Sequence, residues 1–208
     1  MTLSVALINL KPGTAKTTTA VWLAHALHEL GEPVLFVDAD PAASALEWSD
    51  LAGGFPFRIV GLPTRELHRR VAEIVRPGES VIIDTPQMED HEAIVKSAMR
   101  YADELLLPVA PHGIEVNRMS PVINAIEDLD VVRPVAPRFS VVLNRINKSS
   151  SAPADYRQIL TEQGYEVLQT MFPFVVRYSQ SFAMEVSAAG TEAEELAREL
   201  LKRSEAAR

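Results

Sequence analysis

Short apolar runs recur along this chain, and segments with helical periodicity fill the gaps between them. The runs are SVALINL, VLFVDAD, FRIVGL, SVIIDTP, DELLLPVAP, RFSVVLNRI and YEVLQTMF. A strand covered on both faces reads as a nearly continuous apolar run, and parallel neighbours need a crossover helix between them. The expectation is an α/β fold with a mostly parallel sheet flanked by helices on both faces. The first helix carries Ala20, Leu23, Leu27 and Leu30 and stops near Gly31. Further helices are expected over AASALEWSDL, over RELHRRVAEIV with Thr64 as cap, and over 89–101, 115–129, 153–163 and 191–204. At 208 residues, one domain over 1–208 is expected.

Composition narrows the function classes. With no cysteine, disulfides, thiolate metal sites and cysteine nucleophiles are excluded. The chain opens in a strand with no basic leader, and no apolar run reaches the roughly 18 residues of a membrane span. A cytoplasmic protein without a membrane partner is expected. The net charge of −8 lies in the first two thirds: 11 Lys+Arg face 19 Asp+Glu up to Pro137, and the remainder holds 9 of each. Local basic clusters are therefore still open to a polyanion.

In open parallel sheets ligands bind beyond the carboxyl ends of the strands. Three such ends carry chemistry here. The first run is followed by Lys11–Thr18, the second ends in Asp38 and Asp40, and the fourth ends in Asp84. Gly13 can take positive φ, Lys16 can reach phosphate oxygens, and Thr17 and Thr18 open a helix whose N–H groups and dipole favour anions. The Thr17 hydroxyl suits Mg²⁺, with Asp84 holding the metal through water. Each piece alone has a plain structural explanation, a helix start or a helix cap. Their order and their strand contexts together point to a phosphate and metal site.

These residues resemble a known family. KPGTAKTT is similar to the deviant Walker A box, K-G-G-x-x-K-[ST], of the ParA/MinD partition and positioning ATPases, VDADP to its second motif and IIDTP to its Walker B. An ordinary phosphate loop would have glycine where Leu10 and Ala15 stand, but the position of Ala15 is variable in the family pattern. The fold implied is a P-loop NTPase, and the cofactors implied are ATP and Mg²⁺. Lys11 matches the signature lysine that crosses a dimer interface to ATP in the other subunit. Lys16, Thr14, Ala15 and their neighbours match the phosphate cradle, Asp40 the aspartate that orients attacking water, and Asp38 a support of the metal shell. Pro12 departs from the family glycine; it fixes φ and removes one N–H, stiffening the approach of Lys11. Asn144 resembles an asparagine near the adenine, and Pro173 falls where a loop covers the base. A turn-forming Asn or Pro accounts for these two equally well.

The resemblance implies a slow, partner-stimulated ATPase. An ATP-sandwich homodimer would bind nonspecific DNA, associate with the nucleoid and release on hydrolysis stimulated by a ParB-like or cargo-adaptor protein, segregating a plasmid, a chromosome or a protein cargo. Operator-specific control is not expected without a helix-turn-helix extension. The terminal helix is rich in glutamate and lacks aromatics, which argues against a membrane-surface role. Candidate DNA contacts are Lys148, Arg177, Lys202 and Arg203, with Arg65, Arg69, Arg70 and Arg76 as a second cluster. The rival reading is an ATP-dependent biosynthetic enzyme, dethiobiotin-synthetase-like, which has no use for Lys11. A third is a noncatalytic homologue.

Overall fold

The computed structural model describes residues 3–11, 13–111, 120–128 and 135–206. Pro12 and residues 115–119 and 129 of the expected helix lie outside the described residues. Each apolar run forms a strand: β1 (Ser4–Leu7), β2 (Val34–Asp38), β3 (Arg58–Gly61), β4 (Ser80–Asp84), β5 (Glu104–Val109), β6 (Arg138–Ile146) and β7 (Val167–Pro173). They lie in the order β3-β2-β4-β1-β5-β6-β7 and every pairing is parallel. Between them run α1 (Lys16–Glu29), α2 (Ser44–Leu51), α3 (Leu67–Ile74), α4 (Met88–Tyr101), α5 (Ser120–Glu127), α6 (Ala152–Glu162), the single turn α7 (Val176–Ser179) and α8 (Glu192–Ala206).

Successive strand residues serve opposite faces, as the pleat requires. Val5, Leu7, Phe36, Ile82 and Val142 pack in one core with α1, α8 and Trp48 of α2. Ala6, Leu35, Val37, Ile83 and Val141 pack in a second core under α3, α4, α5 and α6. Burying each large apolar side chain contributes about 1.5–3 kcal/mol, which is why the strands show no polar alternation.

Two local details differ from expectation. Helix α3 begins at Leu67, because Thr64 closes a turn of its own: its hydroxyl accepts the Glu66 N–H at 3.3 Å and donates to the Glu66 carboxylate at 2.6 Å. The terminal helix α8 packs Leu196 and Leu200 into the core as foreseen, yet its charges are not merely solvated. Arg203 is paired with Glu166 and with Glu104, the fully buried first residue of β5, and donates to Ser140 at 2.9 Å. Arg138 completes this cluster at 2.6 Å from Glu104. The cluster ties α8 to the amino end of the sheet, opposite the carboxyl rim.

Candidate functional site

The sheet order places β1 between β4 and β5, so the chain departs from β1 to one side and later crosses to the other. A crevice forms at the carboxyl end of a strand in that position. The loop after β1 fills it. Gly13 has φ +80°, and Ala15, the residue before α1, holds φ +63° despite its Cβ. Left-handed backbone costs a non-glycine residue roughly 1–2 kcal/mol; here the turn is closed by the Thr19 N–H and hydroxyl, which both donate to the Ala15 carbonyl at 2.9 and 2.8 Å. No side chain caps α1. Its first N–H groups are thus left as an anion-binding end.

Lys16 opens α1 and is buried, 8% exposed. Burial lowers its pKa, against the opposing pull of the Asp84 and Asp40 carboxylates. Asp84 ends β4, in register with Leu7 of β1 on one side and Asp38 of β2 on the other. Burial pushes its carboxyl up to about 7; a hydrogen bond with Thr17 and the Lys16 charge oppose this, while Asp38 and Asp40 add to it. Among the described residues, the buried side-chain polar atoms without a hydrogen-bond partner are Thr14 Oγ1 and Asp84 Oδ1. Both belong to this site.

Asp38 is buried, and its carboxylate is engaged by backbone donors: Oδ1 accepts the Asp40 N–H at 3.1 Å, and Oδ2 accepts Ala45 and Leu46 N–H groups at 3.0 and 3.1 Å. It therefore caps α2 and anchors Asp40 together. Asp40 is half-buried and accepts the Ala42 N–H at 2.9 Å.

Lys11 is half-exposed, with its ammonium 3.5 Å from Glu89 in the first turn of α4. Asn9, which sequence reasoning missed, holds the start of this loop. Its side-chain N–H donates to the Pro108 carbonyl at 2.8 Å, and its Oδ1 accepts the Leu10 N–H at 2.7 Å.

A cleft of about 300 Å³ adjoins the cradle, lined by Gly13, Thr18, Asn144, Arg145, Pro173 and Phe174 among others. Asn144 and Pro173 thus lie together beside the loop. The Asn144 amide donates to Thr19 Oγ1 at 2.9 Å and its Oδ1 accepts the Arg145 N–H at 2.8 Å, so it braces β6 against α1. Tyr178 also lines the cleft and meets the Trp22 ring edge-on at 4.8 Å. Arg145 and Phe174 carried no periodic or motif signal in the sequence.

Hard oxygens with an orphaned carboxylate oxygen suit Mg²⁺, which takes one or two side-chain oxygens and keeps the rest of its shell for water and phosphate. Among the described residues no group of three His, Cys, Asp or Glu is placed to hold a metal. Of the basic candidates, Arg203 is withdrawn from solvent by its carboxylate partners, and Lys148 is paired with Glu192 at 2.9 Å. Arg177, Lys202, Arg65, Arg69, Arg70 and Arg76 are exposed. No described helix is long and apolar enough to cross a membrane.

Comparison with known proteins agrees with the fold. Residues 5–187 match the family model CbiA, described as the CobQ/CobB/MinD/ParA nucleotide binding domain. The chain is 34% identical over 167 residues, 77% of its length and 71% of the relative's, to the maintenance of carboxysome distribution protein A of Gloeobacter kilaueensis. Two solved structures share the fold. The cobyrinic acid a,c-diamide synthase of Mycobacterium smegmatis, with bound ATP analogue and magnesium, gives a TM-score of 0.78 at 18% identity over 100% of this chain and 97% of that one. The ParA of pNOB8 bound to nonspecific DNA gives 0.72 at 16% identity, covering 100% of both chains.

Proposed function

We infer the function from what the chain is: it belongs to the CbiA family of CobQ/CobB/MinD/ParA nucleotide-binding domains, and within that family we propose a positioning ATPase switched by ATP. The observation that carries the nucleotide reading is the pair of orphaned buried atoms, Thr14 Oγ1 and Asp84 Oδ1, at the mouth of an uncapped helix. Buried polar groups are otherwise satisfied, so this pair supports a ligand rich in oxygen with its cation.

In this reading the N–H groups at the start of α1 and the Lys16 ammonium bind the triphosphate, and Thr17 and Asp84 hold Mg²⁺. The metal, when bound, offsets the phosphate charge. Asp40 orients the attacking water, and Asp38 supports the metal shell while fixing the Asp40 backbone. Phosphoryl transfer needs positioning and charge stabilisation rather than covalent chemistry, which this set supplies. Asn144 and Pro173 flank the base. Lys11 serves the phosphates of a second subunit, coupling nucleotide binding to dimerisation; for that it leaves Glu89. The ATP dimer binds nonspecific DNA and associates with the nucleoid, and a ParB-like or cargo-linked partner stimulates hydrolysis. The 34% identity to a carboxysome-distribution protein supports a positioning role over a biosynthetic one. The likeness to the diamide synthase, at 18%, carries the fold alone.

The deciding experiment is the solution mass of Asp40→Ala with Mg-ATP and with Mg-ADP, by light scattering on a sizing column. A dimer with ATP and a monomer with ADP is expected. One mass in both states would remove the switch and favour the biosynthetic reading.

A further inference from the structure

Arg145 is the residue this site has no assigned use for. It sits where the β6–β7 register slips between Leu143 and Ile146, and its φ is +55°. Bulges next to active sites re-aim side chains, and a left-handed arginine persists only where its surroundings fix it. Here the Asn144 side chain fixes it by accepting its N–H at 2.8 Å. The redirected guanidinium reaches two elements far apart in sequence. Nη1 donates to the Gly13 carbonyl at 3.0 Å, and the guanidinium carbon lies 5.5 Å from the centre of the Phe174 ring. Phe174 is 61% exposed, and its own N–H donates to the Ile146 carbonyl at 2.9 Å. One end of this bridge is the phosphate cradle and the other is the wall of the adjoining cleft.

We propose that Arg145 is a positioning residue that clips the base-side wall, through Phe174, to the phosphate loop, through Gly13. This rests on the nucleotide reading above. The clip makes the two halves of the site one unit, so a ligand carrying both a planar base and a triphosphate gains more than the triphosphate alone. Cation–π contact and a charge-assisted hydrogen bond act together across the cleft mouth.

The test measures the ratio of Mg-ATP affinity to inorganic tripolyphosphate affinity by calorimetry, in the original protein, in Arg145→Met and in Phe174→Leu. Thermal unfolding of each checks that it is folded. The ratio is expected to fall on the order of tenfold in Arg145→Met. It should also fall in Phe174→Leu, and the double variant should lose little more than the worse single one, because the two residues share one contact. A loosened loop would weaken both ligands and leave the ratio unchanged; that result overturns the clip. Independent, additive losses overturn the coupling to Phe174. Failure of the original protein to bind either ligand would instead remove the nucleotide reading on which the clip rests.

Discussion

At the scale of single residues the site is built on unfavourable placements. Ala15 and Arg145 hold left-handed backbone, Lys16 and Asp84 are ionisable groups removed from water, and Asp84 faces Lys16, Asp38 and Asp40. Without metal or nucleotide, the Asp84 carboxyl titrates near 7 against an ordinary 3.8. The folded protein therefore keeps a proton that the unfolded chain has released between those values, and stability falls as pH rises across that window. Denaturant unfolding in chelator should show this decline, on the order of 4 kcal/mol at most. It should be smaller in Asp84→Asn, the remainder coming from Asp38 and Glu104, whose carboxyls burial also raises; equal declines in both proteins would show that Asp84 is not its source. These residues differ in how readable they were. Asp84 ends a strand, and Lys16 and Thr17 open the helix that follows one, where a sequence pattern predicts position. Arg145 owes its direction to a slipped register between two strands, and Asn9 to a contact 99 residues away, neither of which is written locally.

At the scale of elements, the inner strands β1, β2, β4 and β5 were easy to read because both faces of each are covered, and apolar continuity reports that directly. Helix starts were harder. Thr64 has the chemistry of a cap and spends it on a turn, so α3 begins later. Helix α2 shows the converse: no side chain next to it caps it, and Asp38, at the end of β2, does so through Ala45 and Leu46. That capping ties α2 to the placement of Asp40. Asp38→Ala is expected to cost about 1–2 kcal/mol of stability and to slow hydrolysis far more than it weakens ATP binding. Unfolding midpoints, turnover and ATP titration check this together. Normal turnover in the variant would mean that Asp40 needs no anchor.

At the scale of the whole molecule, opposite rims of the sheet have opposite electrostatic habits. At the amino rim Arg138 and Arg203 both pair with Glu104; at the carboxyl rim carboxylates gather around one buried lysine and leave an oxygen unused. On the proposed function DNA binding should require the dimer: each subunit carries a net charge of −8, so affinity would have to come from local arginine clusters of two subunits set on one face. Binding of ATP-loaded Asp40→Ala to duplex DNA should weaken steeply with salt, with a log–log slope of about −0.9 per phosphate neutralised. A flat response would take DNA out of the mechanism. The edge-on pair of Trp22 and Tyr178 adds something practical. Of the two tryptophans in the chain, Trp22 touches a ring that lines the cleft, while Trp48 bonds to the Met184 carbonyl away from it. On the proposed nucleotide reading, Trp22 is expected to serve as a built-in optical reporter, its emission timing nucleotide arrival in a stopped-flow trace without any label being attached.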